Sequence, residues 1–121
     1  MAATINFALD RGASQPPIVF KLPYDFTGSI FEMKVQRSGG ETFLLSTEDG
    51  SLGMAVETGV SVVRDGIKTS GDFTTITWAY TPAQSRLIIK AEYELEQTDA
   101  FGEQVVWARG SISGIGGLNN D

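Results

Sequence analysis

Cysteine and histidine are both absent from this 121-residue chain, and their absence removes several kinds of chemistry at once. Without cysteine no disulfide can staple the fold, which sets the chain apart from small oxidised secreted domains. Structural zinc sites draw on Cys and His ligands and go with them. Thiol nucleophiles and imidazole bases are missing too, closing the commonest routes to covalent and acid–base catalysis. Long apolar runs are also lacking, since nothing approaches the ~20 residues that a membrane-spanning helix requires. Positive charge is scarce, with 9 Lys and Arg against 15 Asp and Glu for a net charge of −6. So acidic a chain repels phosphate backbones, and neither nucleic acid nor membrane is expected as a partner. The opening Met1-Ala2-Ala3-Thr4-Ile5-Asn6 has no basic region or apolar block. No secretory signal is therefore expected, and synthesis is expected in the cytoplasm.

What the chain does have is alternation of period two. Ile5, Phe7 and Leu9 alternate with polar or small residues up to Arg11-Gly12. Ile18, Phe20 and Leu22 follow Pro16-Pro17, and Phe31, Met33 and Val35 precede the turn at Ser38-Gly39-Gly40. Thr42–Ser46 is a short strand candidate, Leu52, Met54 and Val56 alternate weakly, and Val60–Val63 forms another run. Gly53 inside the weak run suggests a bulge or a close backbone contact. Asp49-Gly50 and Asp65-Gly66 read as tight turns. Ile76, Trp78 and Tyr80 share a face, and Thr81-Pro82-Ala83-Gln84 has the form of a capping box opening one helical turn over 82–86. Ile89, Ala91, Tyr93 and Leu95 then alternate with Lys90, Glu92, Glu94 and Glu96, and a loop leads into a last strand over 104–113. Alternation of this kind buries one face and wets the other. About eight short strands and one helical turn predict an all-β fold: a single antiparallel β-sandwich over 1–113, immunoglobulin-like or jelly-roll-like, with a Gly-rich tail over 114–121.

The polar residues suggest no catalytic or metal centre. Glu92, Glu94 and Glu96 stand at i, i+2, i+4 on a strand and read as its solvent face, with nothing to bury a carboxyl and raise its pKa. Asp49, Asp65, Asp72 and Asp99 are expected in turns, where aspartate bonds its local backbone, and they lack the spacing of a calcium loop. Gly114-Ile115-Gly116-Gly117 lacks the Lys-Ser/Thr of a phosphate loop. No cofactor is expected. In the last strand Val106, Ala108, Gly110 and Ile112 look like the core set, which sends Val105, Trp107 and Arg109 to the outer face. A register shift would instead turn Trp107 into the core.

Taken in order, several segments carry a family likeness. They are Asp10-Arg11-Gly12 after a short first strand, and Asp25-Phe26-Thr27-Gly28-Ser29 before a strand ending in Gln36-Arg37. Thr81-Pro82-Ala83-Gln84, Tyr93-Glu94-Leu95-Glu96 and Arg109-Gly110-Ser111-Ile112-Ser113 follow. Over roughly residues 5–115 the chain resembles the small β-sandwich domains of tailed-phage virions, found in tail, baseplate and fibre-attachment proteins. The resemblance implies a non-enzymatic virion structural protein whose partners are copies of itself and other virion proteins. A head-decoration or head-fibre protein is a variant of that expectation. A carbohydrate-binding module, with Trp107 or Trp78 exposed beside polar groups, is the alternative from another class. The expected contact residues are Ile5 and Phe7 in the first strand, Trp107 and Arg109 in the last, and Ile115 and Leu118 in the tail.

Overall fold

The alternating runs pair into two sheets that face each other across one apolar core. The structure, a computed structural model, describes residues 2–116, with the side chains of 60–64 and 68–70 outside that description. The strands are β1 (Ala3–Thr4), β2 (Phe7–Asp10), β3 (Ile18–Leu22), β4 (Ile30–Arg37), β5 (Thr42–Ser46), β6 (Gly53–Arg64) and β7 (Ile67–Trp78). The short helix α1 (Pro82–Arg86) precedes β8 (Lys90–Thr98) and β9 (Gln104–Ile115). One sheet runs β1-β9-β8-β4-β5, with β2 also on β9, and the other runs β3-β7-β6. This is the immunoglobulin-type order, in which the N-terminal strand lies parallel to the last one.

The sequence's alternation accounts for the core. Phe31, Met33 and Val35 of β4 and Ala91, Tyr93 and Leu95 of β8 point inward from one sheet. Ile18, Phe20, Leu22, Ile76 and Trp78 meet them from the other. Phe7 closes edge-on against Phe20 at 5.4 Å between ring centres, and Trp78 against Tyr80 at 5.6 Å, arrangements that suit aromatic quadrupoles.

Local signals also hold. Thr81 caps α1, its hydroxyl accepting from Gln84 N while its own N–H donates to the Gln84 side chain. Asp65 and Gly66, at φ 51° and 79°, turn the β6–β7 hairpin, a left-handed pair that favours glycine.

Five expectations need correction. The first strand is two, because Asn6 leaves the ladder to accept from the backbone N–H and hydroxyl of Ser111; nine strands result among the described residues. The runs at Leu52–Val56 and Val60–Val63 are one strand, and the irregularity lies between Glu57 and Val60 rather than at Gly53. Gly59, at φ 67°, makes that bulge, and Asp72 accepts its N–H. Asp72 is therefore in β7, not in a turn. Ile89 is 70% exposed while Ile88 is fully buried: β8 begins only at Lys90, so the expected alternation holds from Ala91 onward and Ile89 lies outside it. Finally, β9 continues to Ile115, two residues into the expected tail.

Tyr93 ties the sheet to its edge, its hydroxyl donating to Ile5 O at 2.6 Å. Burial pushes this phenol up from 10.0 to about 12. Tyr80, whose hydroxyl donates to Pro16 O, is raised in the same direction by burial and then by Asp10. The folded chain thus keeps protons that the unfolded chain releases. The associated stability is complete below pH 10.0 and is lost as pH rises through about 12. Urea midpoints measured across this window should fall less steeply for Tyr93→Phe than for the parent chain. Parallel pH curves for the two proteins would refute the assignment.

Candidate functional site

The sandwich has two distinguishable ends. At one, the 23–29 connection, the 99–103 loop and the β6–β7 hairpin emerge together, because Leu22 opposes Thr74 while Ile30 opposes Thr98. At the other lie α1, the residues after β2, the end of β4 and the start of β8. These are called the loop end and the helix end below.

At the loop end an aromatic cluster seals the core. Phe26 meets Phe31 at 5.6 Å and Trp107 at 5.4 Å, and Tyr24 packs on the Phe26 and Trp107 rings. Trp107 is half-buried against the core rather than on the outer face. The cause is a slip in register: Leu95 opposes Ala108 but Glu96 opposes Val106, so Trp107 is the extra residue of a bulge and turns inward. Its Nε1–H donates to Gln97 Oε1 at 2.8 Å, and Gln97 Nε2 donates to Ser29 Oγ. The chain buries this glutamine with its polar groups satisfied, as burial demands.

Beyond that seal the 99–103 loop is held by its own bonds. The Asp99 carboxylate accepts from the N–H groups of Phe101 and Glu103, and Asp99 N donates to Glu103 O. The rigid turn so formed carries Phe101, which is 92% exposed. Tyr24 and Val105 are exposed at the same end. No periodicity flags Phe101, because a loop has none to violate; the one local signal is Asp99 placed ahead of an aromatic and a glycine.

The edges offer a second surface. Residues Ile67–Phe73 of β7 extend past the last β3 partner and pair only with β6. At ~3.3 Å per residue this ribbon overhangs its sheet by about 20 Å. Among the described residues no strand lies beside its outer backbone groups, the condition that invites pairing by another chain.

On the outer face of the larger sheet Glu92 and Glu94 are exposed and Glu96 half-buried, with Lys34 and Arg109 on the strands flanking Glu94. Arg109 stands 3.9 Å from Glu94, both well exposed, so the pair contributes little. A shallow depression of about 400 Å³ lies among Glu32, Lys34, Leu44 and these glutamates. Asp25 and Asp49 build tight turns, and hydrogen bonds from Thr27 and Ser51, side chain first and then backbone, hold their carboxyls below 3.8. Among the described residues no three acidic side chains converge as a metal site would require.

Comparison with protein-family models, curated proteins and solved structures finds no match for this chain. Function must therefore be argued from the surfaces themselves. The expected contact residues do not form one patch. Ile5 and Arg109 meet at the β1 edge, where Ile5 N donates to Arg109 O. Phe7 faces inward on Phe20 and Tyr93. Trp107 lies at the loop end, Ile115 is exposed at the helix end, and Leu118 falls outside the described residues.

Proposed function

We propose that this chain is a non-enzymatic structural protein of a tailed-phage virion, joining copies of itself or neighbours in the tail, baseplate or fibre-attachment region. The observation that carries the assembly half of this reading is Phe101, a large apolar ring held in solvent by a loop already closed by Asp99. A preorganised aromatic anchor loses little entropy on binding, and such side chains dominate interface energetics. The virion half rests on the segments around Asp25-Phe26-Thr27-Gly28, Thr81-Pro82-Ala83-Gln84 and Arg109-Gly110-Ser111. The glycan alternative is less well supported. A sugar platform needs an open ring beside free polar groups, whereas the Trp107 ring packs on Phe26 and its N–H is committed to Gln97. The test is mass spectrometry of purified particles from the phage whose genome encodes the chain. Stoichiometric incorporation supports the proposal; absence from the particles, or a gene outside any phage or prophage, sinks it.

A further inference from the structure

We infer that copies of this chain join head to tail, the loop end of one sandwich seating on the helix end of the next. The inference rests on the assembly reading above and specifies which surfaces meet. Both ends carry exposed apolar side chains: Phe101, Tyr24 and Val105 at the loop end, Leu87, Ile89 and Ile115 at the helix end. Ile89 and Ile115 flank one contact, since Gly114 N donates to Ile89 O.

Charge then sets the direction. By position in the fold the loop end holds Asp25, Glu57, Asp65, Asp72, Asp99 and Glu103 against Lys21, Arg64 and Lys68, and so remains acidic. The helix end holds Arg11, Arg37, Arg86 and Lys90 against Asp10 and Glu41. These cations are placed by the fold: Arg11 donates to Arg86 O, and Arg37 to the carbonyls of Glu41 and Leu87. The ends lie a strand length apart, about 25 Å at ~3.3 Å per residue. That exceeds the ~8 Å screening length of physiological salt, so each end acts on its own sign of charge. Pairing like ends would bring the loop-end carboxylates together, whereas pairing unlike ends joins acid to base and apolar to apolar. Such a contact is heterologous and propagates into a ring or a filament.

The end of a sandwich this size offers about 500 Å² per partner, the lower limit for specific association, so assembly should depend on concentration and weaken in salt.

Sedimentation velocity of the full chain and two variants tests this. Phe101→Asp blocks the loop end and Ile89→Asp the helix end; both side chains are exposed, and thermal melts confirm folding. The parent should grow in mass with concentration while each variant alone stays monomeric. The two variants mixed in equal amounts should double in mass and stop there, because each contributes its one intact end. If the parent assembles but the mixture remains monomeric, or either variant still assembles as the parent does, head-to-tail joining is wrong and some other contact carries assembly. A parent that is monomeric at every concentration also overturns it, and particle composition then decides the virion reading by itself.

Discussion

Gly110→Ala should destabilise the fold by about 3 kcal/mol and unpin its N-terminal strand. A Cβ at this position would overlap the carbonyl oxygen of Ile5 and crowd the Asn6 side chain. The obstacle is backbone, so no rotamer change relieves it. The displaced Ile5 carbonyl is also the acceptor for Tyr93, so a buried phenol loses its partner in the same event. For a domain of this length the loss corresponds to a fall in Tm of about 10 °C. Hydrogen exchange should speed up selectively over Ala3–Asp10, with β3 and β7 protected as before. An unchanged Tm would mean that β1 does not sit where the structure places it.

Trp78→Ala is expected to be more damaging, at about 4 kcal/mol. Its side chain is 1% exposed and touches Phe43 from the facing sheet and Tyr80 just beyond the end of β7, so truncation leaves a cavity bounded on both sides. A domain of this length commonly holds about 10 kcal/mol in total, so the variant sits close to the folding threshold. Trp107→Ala should lose roughly half as much, because Trp107 closes one end and is only half-buried. Urea midpoints rank the two directly. Equal losses would place Trp107 as deep in the core as Trp78.

These two tryptophans also show how far the sequence is legible. Trp78 lies within an unbroken alternation, Ile76, Trp78, Tyr80, and its burial follows from pleat geometry alone. Trp107 lies in an equally convincing alternation, yet a single extra residue opposite Glu96 reverses its side. Bulges insert one residue where three-dimensional packing favours it, and period-two patterns carry no record of them. The same applies to Gly59, whereas Ile89 departs because it precedes β8, whose own alternation keeps the expected phase. Features closed within a few residues, such as the Thr81 cap and the Asp65-Gly66 turn, are legible because their partners are neighbours in the chain. Phe101 belongs to neither kind. Its exposure depends on which bonds Asp99 makes, and those bonds belong to the folded loop rather than to a pattern of residue types.

The pairing of β1 and β2 with β9 has a consequence for the order in which the protein can be completed. Ala3 and Thr4 find their partners at Ala108 and Arg109, more than a hundred residues later in translation. Until β9 is synthesised, the first residues have nothing to pair with and β8 is left as a raw edge, so the larger sheet closes only once β9 is in place. Contacts this distant in sequence slow folding. A chain truncated before Gln104 would therefore end its larger sheet at an unpaired β8 with β1 and β2 left without a partner, a product for quality control rather than a smaller working domain.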